Sequence, residues 1–159
     1  MLFKIRLYAG LVLLLFVTGH LISAALGVFS FQAMDASRMY FIAPWRTIPG
    51  TFLLYGSMLT HVGLALWSFY QRKTLRLKTW EIPQNVLGLL LPLIMAGHVV
   101  GTRGAIERFG MKPDYAQELA YFWIQEPTAG VMQFALVLMV WTHGFIGFHT
   151  WARLKEWFQ

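Results

Sequence analysis

Four apolar runs, Leu7–Val28, Gly50–Tyr70, Val86–Gly101 and Gly130–Trp151, constrain this chain more than any other feature. Each is read as a helix crossing a hydrocarbon core of about 30 Å, which takes roughly 20 apolar residues, with the third extending past Gly101. A composition of 57% hydrophobic, 16% aromatic and 13% charged residues over 159 residues is too apolar for a soluble domain. The expected fold is an all-α membrane protein: four transmembrane helices in one bundle (residues 1–159), with short helices lying in the outer interface. Lys4 and Arg6 ahead of the first run imitate a secretory leader, but that run is long for a signal core. Pro92 should kink the third helix, since proline removes a backbone donor.

Charge placement orients the bundle. Lys4, Arg6, Arg72, Lys73, Arg76, Lys78, Arg153 and Lys155 fall on one side with only Glu81 and Glu156. Arg38, Arg46, Arg103, Arg108 and Lys112 fall on the other, facing five acids. The basic excess lies entirely with the two termini, which the positive-inside rule makes cytoplasmic, as for a multi-pass protein of a bacterial inner membrane. The segment QRKTLRLKTW (71–80) then reads as a topology signal in contact with anionic lipid, not as a nucleic-acid patch. Two outer connections, 30–50 and 112–127, are aromatic, bounded by proline and helical in their apolar spacing, with Trp45, Tyr121 and Trp123 expected at headgroup depth. No internal repeat is convincing.

Cysteine is absent, which excludes disulfides, zinc ribbons and iron–sulfur clusters held by this chain. Histidine is the informative residue. His20, His61, His98, His143 and His149 all lie inside the four apolar runs, where a titratable side chain is costly, and the connections contain none. No Asp or Glu accompanies them in the core, so carboxylate di-iron sites, acidic proton relays and HExxH zinc sites lack their ligands. Imidazoles alone, presented by separate apolar helices, point to b-type haem: the porphyrin brings four nitrogens and the protein owes two axial ligands and an apolar slot. Gly19, Gly63, Gly97 and Gly144 lie beside the histidines and reduce bulk where a flat ring would approach.

Depth sorts the ligands. At about 1.5 Å per residue, His61 and His143 lie about 16 to 20 Å from the outer ends of their helices, and His20 and His98 about 5 to 12 Å. Two bis-histidine haems follow, His20 with His98 and His61 with His143. His143 and His149 are six residues apart, about 120° around and about 9 Å along a helix, so they cannot share one iron. His149 is instead a candidate partner for a haem propionate or a quinone near the cytoplasmic end. Arg103 and Arg46 are the corresponding candidates near the outer face, with Tyr40 and Trp45 flanking.

The stretches VTGHLISAALG, PGTFLLYGSMLTHVGLALWSFYQRKTLRLKTWE, GHVVGTR and WTHGFIGFHTWARLKEWF resemble the membrane domain of bacterial class III adenylate cyclases whose anchor is like the cytochrome b subunits of succinate dehydrogenase and fumarate reductase. The resemblance covers nearly the whole chain. It implies two b haems held by histidines of successive helices, here His20, His61, His98 and His143, and a module that senses the quinone pool or passes electrons. That family has six helices followed by a cytosolic cyclase, whereas four spans are read here, with no P-loop and no paired aspartates for nucleotide chemistry. The alternatives are an anchor subunit of a succinate dehydrogenase or fumarate reductase type of complex, a cofactor-free scaffold, and a transporter or channel. Buried histidines without intramembrane charge pairs or broken helices favour the redox module. Gly56 and Gly63, a heptad apart on the second helix, suggest a face for a second copy or further helices. The expected partners are membrane lipid and a homodimer mate, or else a cytosolic catalytic domain or additional helices.

Overall fold

The computed structural model describes residues 1–74, 76–79, 81–110 and 114–158; Lys112, counted above among the outer charges, lies outside them. The chain is all-α, with no strand among the described residues. Four helices are long and apolar enough to cross a membrane: Leu2–Val28, Ile48–Tyr70, Glu81–Phe109 and Pro127–Ala152. The chain divides into two compact units, Met1–Lys73 and Thr74–Gln159, each a hairpin of two long helices with short helical pieces at the bend.

The first hairpin runs α1 (Leu2–Ala25), a 3₁₀ turn (Leu26–Val28), α2 (Phe31–Phe41), α3 (Ala43–Arg46) and α4 (Ile48–Tyr70). Lys4 and Arg6 do not delay α1, because long basic side chains at a helix end can carry their charge outward along an apolar stem. The bend is specified by caps. Ser30 accepts from the Ala33 amide at 3.0 Å to start α2, and Thr47 accepts from the Gly50 amide at 3.2 Å to start α4, with Pro49 in its first turn. Small residues four apart on α1 and the 3₁₀ turn that follows it receive α2: Gly19 lies under the Phe41 ring, Ser23 faces Ser37, and Gly27 of the turn lies under Met34. The two buried hydroxyls are 2.6 Å apart, and that of Ser37 also donates to the Met34 carbonyl at 2.6 Å. At the base of α4, Gly50 admits the Pro44 carbonyl so closely that no β-carbon would fit.

The second hairpin runs α5 (Glu81–Val99), a π-helical turn (Val100–Gly104), α6 (Ala105–Phe109), α7 (Tyr115–Ala120), a second π turn (Tyr121–Gln125) and α8 (Pro127–Ala152). Its first long helix starts ahead of the expected Val86 and extends past Gly101 as expected. It begins at Glu81, an acid in the first turn that suits the positive helix end. It continues past Gly101 because the wider π turn keeps the backbone bonded through both glycines, and stops at Gly110, whose φ of 65° is left-handed. Pro92 lies inside α5, which is helical on both sides of it. Asp114 caps α7 through the Ala116 amide at 2.9 Å, and Gly130 admits the Phe122 carbonyl much as Gly50 admits that of Pro44.

A candidate cofactor site in each hairpin

In the first hairpin the His61 ring of α4 lies against Gly10 of α1, its Cε1 and Nδ1 nearest. A β-carbon on Gly10 would come within 2.9 Å of His61 Cε1 and 3.0 Å of its Nδ1. In a helix each β-carbon leans toward the N-terminus and shields the preceding turn. Its absence at Gly10 uncovers the carbonyl of Arg6, and His61 Nδ1 lies 3.0 Å from that oxygen. A carbonyl only accepts, so this hydrogen bond requires the proton on Nδ1 and leaves Nε2 with its lone pair.

The second hairpin repeats the arrangement. His143 of α8 lies against Gly88 of α5, where a β-carbon would come within 3.0 Å of its Cε1. One turn toward the start of α5, Gln84 meets Gly147, one turn further along α8, with Nε2 3.2 Å from a β-carbon there. Ten residues along α5 from Gly88, and ten back along α8 from His143, the antiparallel register brings His98 against Gln133: Nδ1 and Oε1 are 3.1 Å apart. The same steps in the first hairpin lead from Gly10 and His61 to His20 and Thr51.

The hairpins therefore share one pattern, contrary to the expectation that the chain carries no convincing internal repeat. GLVLLLFVTGH (10–20) and GLLLPLIMAGH (88–98) agree at six of eleven positions, including both glycines and the histidine, and Thr60–His61 matches Thr142–His143. Gly10 and Gly88, which support the second-helix histidines, were legible through that match.

Each ligand candidate has a defined neighbourhood. His20 stacks on Phe16, one turn earlier, at 5.8 Å and 7°, and Trp45 meets Phe16 edge-on at 5.4 Å. Trp45 thus packs onto α1. His20, His61, His98 and His143 are half-buried, whereas His149 is exposed and meets Phe158 edge-on at 5.8 Å. The His98 carbonyl accepts the Thr102 hydroxyl at 2.7 Å where the π turn begins. Because the third long helix reaches Phe109, His98 lies about 16 Å from its end, not the few ångströms expected from a helix ending at Gly101.

Of the candidate propionate or quinone contacts, Arg103 is ion-paired to Glu107, Nε to Oε1 2.6 Å, and Arg46 is exposed at the end of α3, while Asp35 pairs with Arg38 at 3.5 Å. Of the glycines expected to make room beside histidines, Gly19 is filled by Phe41, whereas Gly63 and Gly97 have no described atom within 4 Å of a β-carbon position. Among the described residues no three His, Asp or Glu side chains converge as a metal site built from protein alone. Comparison with known protein families, curated proteins and solved structures finds no match.

Proposed function

We propose that this chain is a dihaem b-type cytochrome module of a bacterial inner membrane, in which His20 and His98 ligate one iron and His61 and His143 the other. The observation that carries this reading is the duplicated register. Each hairpin offers two half-buried imidazoles ten residues apart in helical register, about 15 Å along the axis, too far for both to bind one metal. Each hairpin can therefore give one ligand to each of two levels, and a pair of such hairpins supplies the four imidazoles that two b haems need. The donor chemistry fits: the carbonyl facing His61 Nδ1 leaves Nε2 to coordinate, and a metal-binding histidine ordinarily donates its other N–H to such an acceptor. Exposed Gly63 and Gly97 suit the approach of a flat macrocycle.

When bound, the haems supply reversible one-electron chemistry at potentials set by axial ligands and surroundings. The chain contributes ligand orientation, an apolar environment and charges near the ends of the helices. The resemblance noted in the sequence makes the module a sensor of the quinone pool or an electron carrier, serving as the regulatory anchor of an adenylate cyclase or as an anchor subunit of a succinate dehydrogenase-like complex. Arg103, Arg46 and His149 are the proposed contacts for propionates or a quinone, and Gly56 with Gly63 the proposed face for a second copy or further helices.

The test is a reduced-minus-oxidised visible spectrum of the purified chain, with haem quantified as the pyridine complex. The expected result is a b-type spectrum with about two haems per chain. A featureless spectrum from protein made with ample haem would overturn the proposal.

A further inference from the structure

We propose that Gln133 is a positioning residue for His98, holding its proton on Nδ1 and so presenting Nε2 as the metal-binding atom; this rests on the haem reading above. Gln133 is the one polar residue between Val131 and Val140. An amide in such a stretch is costly unless hydrogen-bonded. Its oxygen lies 3.1 Å from His98 Nδ1, across the hairpin. An amide oxygen accepts and does not donate, so the contact is satisfied in one neutral tautomer only, the one with Nε2 unprotonated.

A hydrogen bond serving only to join α5 and α8 would explain the polarity of Gln133, but not which nitrogen it meets. His61 supplies the comparison. Its Nδ1 meets an unrelated acceptor, the backbone carbonyl of Arg6 on the neighbouring helix, at 3.0 Å. Two histidines in two hairpins, one held by a side chain and one by the main chain, thus arrive at the same tautomer, the one an axial ligand requires. The first acceptor can be removed by substitution and the second cannot, which makes His61 an internal control for His98.

The experiment has two arms on the full chain in detergent. In the haem-free protein labelled with ¹⁵N-histidine, the imidazole ¹⁵N shifts report which nitrogen bears the proton. His98 should be Nδ1-protonated in the wild type and in Gln133→Glu, which keeps an acceptor, and should move to the Nε2-protonated form in Gln133→Leu, with His61 unchanged throughout. In the haem-loaded protein, the carboxylate of Gln133→Glu should make His98 a stronger donor and lower one haem potential. Gln133→Leu should raise that potential, and the other haem should stay at its wild-type value. Opposite shifts at full haem content are the signature of positioning, since loss of packing would move both variants the same way. An Nε2-protonated His98 in the wild type, or no tautomer change in Gln133→Leu, would overturn the role of Gln133 while leaving a haem spectrum intact. A tautomer response in a chain that never binds haem would overturn the haem reading instead.

Discussion

The two hairpins solve one problem with different parts. In both, the second long helix lays a histidine against a glycine of the first, Gly10 under His61 and Gly88 under His143. The bends differ. The first is closed by α2 docked on small residues of α1 through Ser23 and Ser37, the second by π turns flanking α6 and α7. The contrast shows that the shared element is the register of the long helices, and that the connections vary around it. His61 and His98 each meet an acceptor on the partner helix, and His61 and His143 each lie where that helix carries a glycine.

The sharpest way to break this equivalence is to remove the matched histidines. His61→Ala and His143→Ala should each lower the haem content from about two per chain to about one, and both should leave the same residual spectrum, that of the His20 and His98 haem. Different residual spectra would mean that Gly10/His61 and Gly88/His143 are alike in geometry but not in use.

Next in size are the glycines. Gly10→Ala brings a β-carbon within 2.9 Å of a ring whose Nδ1 is tied to the Arg6 carbonyl, so moving the ring also strains that bond; at Gly88 the contact is 3.0 Å. Overpacking of this kind costs about 1–3 kcal/mol. Thermal unfolding in detergent should place Gly10→Ala below Gly88→Ala, and both below wild type. Gly63→Ala and Gly97→Ala meet open space and should leave haem-free stability within about 0.5 kcal/mol, while lowering haem retention if the macrocycle lies there. Equal stability losses at all four positions would remove the distinction between helix contact and cofactor slot.

The bends offer a smaller contrast. Ser37→Ala removes the buried hydroxyl contact between α1 and α2 and should destabilise the first hairpin by about 1 kcal/mol. Proteolysis between residues 26 and 47 should become faster. Unchanged cleavage there would show that Gly19, Gly27 and their aromatic and methionine partners suffice to hold α2.

Helix existence is legible because apolar length alone decides it; the caps at Ser30 and Asp114 start the short helices α2 and α7, and that at Thr47 starts the long α4. Gly101, from which the depth of His98 is counted, is not the end of the third helix: a π turn absorbs it and Gly104, and only Gly110 adopts the left-handed conformation that ends the helix. Depth estimated for His98 from that false end was accordingly too shallow. The glycines that matter to His61 and His143 were overlooked for a different reason. Search beside a histidine in sequence finds Gly19, Gly97 and Gly144, but an antiparallel partner helix supplies contacts from residues dozens of positions away. The repeat was hidden because its two halves are joined by unlike bends, so no constant period runs through the chain. Gln133 was visible as a lone polar residue, and its partner became evident only once the hairpin register was known.

The smallest expected effect concerns Arg103, where the second hairpin carries an ion pair with Glu107 near the end of its first long helix. Loss of a nearby positive charge stabilises the ferric state, so Arg103→Gln should lower the potential of the haem assigned to His20 and His98. The pair with Glu107 sets the comparison: Arg103→Gln leaves a net negative charge, Glu107→Gln a net positive one, and the double variant neither. Redox titration should therefore give a small fall, a small rise and a near-wild-type value in that order, with both shifts reduced by salt because Glu107 is well exposed. Unchanged potentials in both single variants would make the pair an interfacial anchor with no electrostatic reach to a haem, and loss of haem in Arg103→Gln would make the arginine structural. The same titration on Arg46→Gln, at the bend of the first hairpin, tells whether the two outer ends are electrostatically equivalent as well as alike in register.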